Sequence, residues 1–204
     1  MVSDTVSSSM VTRVAGLGRQ SEKRAAVEAA VLRATEELLE EGASFAELGI
    51  ERIATRAGIS RTAFYFYFRD KRELLVRLTE EVNGQLMAAA ETWWSGSADL
   101  RTALHAIAGL YREHGALLRA VVEVSTYDEA VASFWRGMVG RFAGATRDRI
   151  EAEGVKGPDA EATAFALVWM VERTFYQQLV QHEPVATDAL VDAMATIFER
   201  TVAA

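Results

Sequence analysis

The sequence contains no cysteine, only two prolines and no long apolar run. Without cysteine the chain can form no disulfide bond, no thiolate metal site and no cysteine nucleophile, which is compatible with the cytoplasm. No apolar stretch approaches the roughly 20 residues that a transmembrane helix needs. Residues 1–20 also lack the apolar core of a secretory signal. We therefore expect a cytoplasmic protein without a membrane segment.

Strand-like alternation and turn pairs are absent as well, and apolar residues recur instead at steps of three and four. This periodicity predicts helices throughout, broken at glycines and prolines. The predicted helices span about 22–41, 50–57, 61–66, 70 to 93–97, 98–114, 116–126, 128–153, 159–182 and 186–202. Asp70 is the predicted N-cap of the fourth helix. The sequence therefore indicates an all-α fold of about nine helices.

The net charge of −7 is unevenly distributed along the chain. Residues 1–78 hold 12 basic and 11 acidic side chains, whereas residues 79–204 hold 10 and 18. Within residues 49–78 the balance is seven basic against three acidic. Local charge governs contact with phosphates, because salt screens charges over about 8 Å under physiological conditions. The division indicates two parts with different functions.

The segment from Gly49 to Phe68 has the pattern of a helix-turn-helix motif. An apolar stripe precedes Gly58, where a tight turn with positive φ is accessible, and Ser60 can cap the following helix. A short helix with arginine and hydroxyl groups at its start is typical of a reader of the DNA major groove. On this helix we expect Arg61, Thr62 and Tyr65 to face solvent, and Ala63, Phe64 and Phe68 to face the core.

The spaced pattern Ile-Ala-x-x-Ala-Gly-Ile-Ser-x-x-x-Phe-Tyr-x-Tyr-Phe-x-x-Lys, from Ile53 to Lys71, resembles the DNA-binding domain of the TetR family of transcriptional repressors. The resemblance implies a three-helix N-terminal domain and a larger C-terminal domain. It also implies that Lys71 clamps a DNA phosphate together with backbone N–H groups. Gly49 departs from the pattern, which usually has a Thr or Ser N-cap there. By this resemblance the DNA-binding residues are Ser60, Arg61, Thr62, Tyr65, Tyr67 and Lys71.

Further residues are similar to the mycobacterial ethionamide-resistance repressor subgroup of that family. They are Phe134, Trp135 and Met138 in one segment, and Met170, Glu172, Arg173 and Thr174 in another. In that subgroup the eighth helix lends amide groups to a narrow apolar tunnel, whereas here Val168 and Val171 stand at those positions. The identity of a ligand is therefore not carried over.

Residues 79–204 have the composition of a sensing and dimerising domain. Large apolar residues recur on several helices, and either simple core packing or a ligand pocket explains them. An aromatic, Met-containing lining suits a hydrophobic effector. The predicted ligand-binding residues are Leu104, Ile107, Tyr111, Trp135, Met138, Phe142, Val168, Trp169, Val171, Glu172 and Phe175.

The last two helices carry more apolar surface than one bundle needs, which predicts a homodimer with a four-helix interface. The predicted interface residues are Phe165, Leu179, Leu190, Met194, Ile197 and Phe198. The domain prediction is a flexible arm over 1–20, a helix-turn-helix domain over 21–70 and a ligand-binding and dimerisation domain over 71–204.

Two other classes of protein are weighed against a DNA-binding regulator. An enzyme is disfavoured, because the three histidines are far apart and no catalytic, phosphate-binding or dinucleotide-binding motif is present. No cofactor and no metal site are predicted. The alternative is a helical small-molecule-binding protein without significant DNA binding. The preferred interpretation is a dimeric repressor that binds operator DNA and is released by a hydrophobic small molecule.

Overall fold

The computed structural model describes residues 5–154 and 159–202. Within these residues it contains nine α-helices and no strand, which confirms the all-α prediction. The eighth helix continues into a wide π-helical turn at Tyr176–Val180. The helices are α1 Thr5–Glu40, α2 Ile50–Arg56, α3 Arg61–Tyr67, α4 Lys71–Trp94, α5 Leu100–Glu113, α6 Gly115–Ser125, α7 Glu129–Ala152, α8 Ala160–Phe175 and α9 Thr187–Val202.

Aspartates begin several of these helices by accepting hydrogen bonds from backbone N–H groups of the first turn. The carboxylate of Asp99 accepts from Thr102 N at 2.7 Å, and that of Asp159 accepts from Ala162 N at 2.8 Å. Asp70 accepts from Glu73 N at 2.8 Å and so caps α4, as the sequence predicts. These short side chains satisfy donors that have no partner inside the helix.

Helix α1 begins earlier than the sequence indicates. The predicted arm covers residues 1–20, but the backbone of 5–20 is helical and continuous with the rest of α1. Residues 1–4 lie outside the described part. The segment contains no proline, and extending an existing helix costs far less free energy than nucleating a new one. The structure thus places helix where the composition suggested a mobile arm.

The chain divides into two compact units, Met1–Leu74 and Leu75–Ala204. The division falls four residues after the boundary expected from sequence, because the first turn of α4 packs with the N-terminal unit. In that unit α1 packs on α2, and α2 packs on α3. Its core consists of fully buried apolar side chains, among them Val31, Leu38, Ile53, Phe64, Phe68 and Leu74.

The C-terminal unit is a helical bundle. Helix α7 packs on α6 and α8, and α9 packs on α5 and α8. The apolar faces of these helices bury residues such as Leu104, Val121 and Phe175. This arrangement brings α4, α5, α7, α8 and α9 around the internal cavity described below.

The turn between α2 and α3 requires glycine at position 58. Gly58 has φ +72°, and a Cβ atom there would meet no atom within 4 Å, so backbone strain is the only obstacle to a side chain. We expect Gly58→Ala to lower the free energy of unfolding by about 1 kcal/mol, measured by urea denaturation. The control is Gly49→Ser, since Gly49 has φ −74° and open space around it. Equal losses in both variants would contradict the assigned cause.

Candidate nucleic-acid interface and ligand cavity

Helix α3 is anchored by its aromatic side chains and presents its first turn to solvent. The Ser60 hydroxyl caps it by accepting from Ala63 N at 3.1 Å. Phe64 and Phe68 are both 0% exposed, and their ring centroids lie 5.4 Å apart. Arg61 and the threonine that follows it are exposed. The two faces therefore agree with those expected from sequence, except that Ala63 is only half-buried.

Arg61 differs from the other arginines of the helix-turn-helix segment. Arg56 donates to Glu41 at 2.9 Å, and this hydrogen bond lowers the pKa of the Glu41 carboxyl. Arg69 pairs with Glu73 at 2.9 Å. Among the described residues, Arg61 has no hydrogen-bond or ion-pair partner. Much of the positive charge of this segment is therefore paired with acidic side chains of the same unit, whereas the Arg61 guanidinium is free to contact a ligand.

The aromatic residues at the end of α3 have three different environments. The Tyr65 ring is 46% exposed and meets Phe64 edge to face at 5.6 Å. The Tyr67 ring is partly covered by the Arg24 guanidinium, 5.6 Å from its centroid. Phe66 is 74% exposed, and sequence reasoning missed it. Helical spacing could have indicated this exposure, because Phe66 lies two residues from each buried phenylalanine and so faces away from the core.

The Lys71 side chain is hydrogen-bonded inside the N-terminal unit, and its predicted phosphate contact stays a prediction. Its Nζ donates to three backbone oxygens of the α1–α2 connection, those of Phe45 at 2.6 Å, Ala46 at 2.9 Å and Leu48 at 3.1 Å. The ammonium also lies 5.0 Å from the centroid of the Phe45 ring. Burial lowers the pKa of Lys71. All three donors of the ammonium are engaged inside the unit, so in this arrangement Lys71 does not clamp a phosphate.

Gly49 precedes α2 without a side-chain cap, as expected from its departure from the family pattern. Its backbone is extended, with φ −74° and ψ 143°, which is the usual conformation of a capping residue. Glu51 lies in the first turn of the helix. The position therefore has the geometry of an N-cap but lacks the oxygen that would bind a backbone N–H group.

The C-terminal unit contains an apolar cavity of about 80 Å³. Its walls come from five helices. The residues around it are Leu86, Ala90, Trp93, Trp94, Leu100, Ala103, Leu104, Ile107, Tyr111, Trp135, Met138, Val139, Phe142, Thr146, Val168, Val171, Glu172 and Phe198.

All of the predicted ligand-binding residues except Trp169 and Phe175 line this cavity. Phe175 is fully buried behind Tyr111, with ring centroids 5.8 Å apart. Trp169 lies against Phe165 at 6.2 Å instead. The α4 residues around the cavity are outside the predicted ligand-binding set, because periodicity shows that a helix has an apolar face but not what that face covers. The missed α4 residues are Leu86, Ala90, Trp93 and Trp94.

The cavity contains few polar groups. Trp94 Nε1 donates to the Thr146 hydroxyl at 3.2 Å, so this pair is mutually satisfied. The side chain of Glu172 is 6% exposed, and burial raises the pKa of its carboxyl. Burial also raises the pKa of Tyr111, and the Glu172 carboxylate adds to that rise. Glu172 is therefore the one acidic residue in a mainly apolar lining.

The predicted dimer residues separate into three groups. Phe165 and Ile197 are exposed by 59% and 46%, as an interface would require. Met194 and Phe198 are buried inside the unit, and Phe198 meets Trp93 edge to face at 5.7 Å. These two residues contribute to the core of the unit, because α9 is apolar on both its inner and its outer side, and their role at an interface stays a prediction. Leu179 and Leu190 are half-buried.

Metal binding and membrane insertion find no support in the part of the chain that the structure describes. No group of three or more histidine, aspartate or glutamate residues is placed to hold a metal ion there. Nor does any helix in that part combine the length and apolar character needed to cross a bilayer. His105 is solvent-exposed and lies 3.9 Å from Asp188.

Comparison with known proteins gives matches over both units. The family described as bacterial regulatory proteins, tetR family, matches residues 31–78, and the C-terminal domain of transcriptional regulator EthR matches residues 100–204. The HTH-type transcriptional regulator EthR of Mycobacterium tuberculosis is 30% identical over 175 residues, covering 80% of this chain and 81% of that protein. EthR of Mycolicibacterium smegmatis is 30% identical over 190 residues, which cover 86% of this chain and 85% of that protein. The fold is similar to that of the Bacillus subtilis transcriptional regulator FadR in complex with stearoyl-CoA, with a TM-score of 0.64 and 17% identity. The match covers 82% of this chain and 95% of the FadR chain.

Proposed function

Because this chain belongs to the TetR family of transcriptional regulators, and within it resembles EthR, we propose that it is a repressor that a hydrophobic small-molecule effector releases from operator DNA. The observation that carries the proposal is the exposed, capped start of α3. There Arg61 has no partner among the described residues and follows the capping Ser60 directly. A free guanidinium at the first turn of a reading helix suits a guanine edge in the major groove.

The other contacts of α3 follow from exposure. Thr62 can offer its methyl group to a thymine and its hydroxyl to a base or phosphate. The exposed edge of Tyr65 carries a hydroxyl that suits a phosphate. Phe66 presents an apolar ring that suits a thymine methyl or a sugar. Tyr67 is a weaker candidate, because Arg24 lies over its ring.

We propose that Lys71 acts on DNA indirectly. Its three hydrogen bonds hold the connection that leads into Gly49 and the start of α2. Since α2 packs on α3, this connection contributes to the position of the reading helix. Lys71 is thus assigned as a positioning residue, in place of the phosphate contact expected from the sequence.

The cavity of the C-terminal unit is the proposed effector site. The stearoyl-CoA complex of FadR supports an apolar effector for a related fold. A volume of about 80 Å³ is small, so a larger effector has to displace wall residues. Helix α4 begins in the N-terminal unit and supplies cavity residues from Leu86 to Trp94. An effector that binds better to a displaced α4 would shift the population away from the DNA-binding form.

We further propose a homodimer in the cytoplasm. Two copies of α3 must be separated by about 34–36 Å to reach successive major grooves, and only a dimer provides two copies. Phe165 on α8 and Ile197 on α9 are exposed apolar residues that suit such an interface. Access to a chromosomal operator places the protein in the cytoplasm.

The test is a gel-shift titration on DNA fragments from the region upstream of the chain's own gene. We expect salt-dependent binding, and we expect Arg61→Ala to weaken it by about 10- to 100-fold, the cost of one bidentate base contact. The control is Arg147→Ala, which removes the same charge from an exposed pair with Asp148 in the other unit. Equal affinities for all three proteins would contradict the assigned role of Arg61. No salt-dependent binding to any fragment would favour the alternative, a small-molecule-binding protein without DNA binding.

A further inference from the structure

Glu172 on α8 is a buried acid without a hydrogen bond. Its side chain is 6% exposed, and both carboxylate oxygens are covered and have no hydrogen-bond partner among the described residues. The residue lines the cavity, where its neighbours are mainly aromatic and aliphatic. Buried polar groups in proteins are nearly always hydrogen-bonded, so an exception of this kind calls for a physical explanation.

The nearest positive charge does not supply the missing hydrogen bonds. Arg173 Nη2 lies 3.5 Å from Glu172 Oε2, but the Arg173 side chain is 47% exposed. Its guanidinium lies over the ring of Tyr176, 5.1 Å from the centroid. Among the described residues, none that lines the cavity is a lysine, arginine or histidine. The carboxylate therefore has an ion-pair partner in a half-exposed guanidinium, but it has no hydrogen-bond donor, and the described cavity wall supplies no cation.

We propose that Glu172 recognises an effector that carries an amine on an apolar body. This inference rests on the proposed effector site in the same cavity. A protonated amine brings both the positive charge and the N–H donors that the two oxygens lack. The aromatic walls then cover the apolar body, and the rings of Trp93, Trp94 and Trp135 can add cation–π attraction.

Other ligand chemistries fit the cavity less well. A carboxylate or phosphate group would face the Glu172 charge without any lysine, arginine or histidine in the wall to balance it. The indole N–H of Trp94 is already donated to Thr146. Val168 and Val171 offer no polar side-chain atoms. A purely apolar ligand would leave both carboxylate oxygens without a partner.

The first experiment compares three small ligands of one shape and different charge, namely benzylamine, toluene and benzoate. Trp93, Trp94 and Trp135 line the cavity, so their fluorescence reports occupancy directly. At neutral pH we expect the protein, without DNA, to bind benzylamine more tightly than toluene and to bind benzoate most weakly. Binding of toluene or benzoate as tight as that of benzylamine would overturn the proposal.

The second experiment repeats the titration on Glu172→Gln. Loss of the charge-assisted hydrogen bonds is expected to weaken benzylamine binding by about 10- to 100-fold and to leave toluene binding unchanged. The control is Glu161→Gln, which removes the same charge from an exposed position on the same helix. Unchanged benzylamine affinity in Glu172→Gln would overturn the assignment. Gel shifts on the same protein preparations, without amine, test the proposed DNA-binding function separately.

Discussion

Replacement of Lys71 by methionine is expected to destabilise the N-terminal unit by about 3 kcal/mol. The ammonium donates to the carbonyl oxygens of Phe45, Ala46 and Leu48, at distances from 2.6 to 3.1 Å. Methionine keeps the length and apolar stem of the side chain but donates no hydrogen bond. Three oxygens at a partly buried turn would lose their common donor. The same substitution is expected to weaken operator binding more than tenfold, although Lys71 has no donor left for DNA.

Urea denaturation measures the loss of stability, and a gel shift measures the loss of affinity. Lys23→Met is the matched control, because Lys23 is exposed on α1 and the change in side chain is the same. Direct binding of a DNA phosphate by the Lys71 ammonium would give a different result for Lys71→Met. In that case the variant would bind DNA more weakly while its free energy of unfolding stayed unchanged. Such a result would contradict the positioning role of Lys71.

Replacement of Glu172 by glutamine is expected to raise the free energy of unfolding at neutral pH, by on the order of 1 kcal/mol, because the half-exposed Arg173 stays hydrated when the buried charge is removed. Burial raises the pKa of this carboxyl above its ordinary value of 4.5. Below that value the group is protonated in both the folded and the unfolded chain, and burial carries no charge penalty. As the pH rises from the ordinary pKa toward the raised folded-state pKa, the unfolded chain ionises while the native protein holds its proton, so stability is lost until the folded-state pKa is passed. Glutamine never ionises, so its advantage grows with pH.

Urea denaturation of both proteins from about pH 4 to about pH 8 measures this difference. We expect nearly equal stabilities at the acidic end and a widening gap toward neutrality. Glu161→Gln, exposed on the same helix, should show no such widening. A constant difference across the range would show that the pKa of the Glu172 carboxyl is the same in the folded and the unfolded chain, and would contradict the raised pKa. Lower stability of Glu172→Gln at neutral pH would show that the ion pair with Arg173 outweighs the cost of burying the carboxylate, and would contradict the expected gain.

The helix-turn-helix was predictable from sequence because local chemistry determines it. Gly58 supplies the positive φ, Ser60 supplies the cap, and the spacing of Phe64 and Phe68 orients α3. The nine helices were predictable for the same reason, since their ends coincide with capping residues and glycines. The first helix was the exception, because no local signal distinguishes a mobile arm from the extension of a stable helix.

Features that depend on contacts between distant segments were less predictable. The donors of Lys71 reach a connection more than twenty residues earlier in the chain. Phe198 has the helical spacing of an interface residue, yet α9 turns it inward onto Trp93. Glu172 was selected as a cavity residue from sequence, but its lack of a hydrogen-bond partner is visible only in the packed bundle. Periodicity gives the face of a helix and leaves open which neighbour covers it.

Control of DNA binding by occupancy of the cavity can be tested without knowing the effector. Ala90 on α4 and Val139 on α7 both line the cavity and are nearly fully buried. Ala90→Leu and Val139→Phe place extra atoms in the cavity from two different helices. The direct measurement is the operator affinity of each variant, by gel shift, below its melting temperature. If occupancy of the cavity controls DNA binding, both folded variants bind the operator at least tenfold more weakly than the wild type, a loss of about 1.4 kcal/mol or more. Wild-type affinity in both folded variants would contradict it.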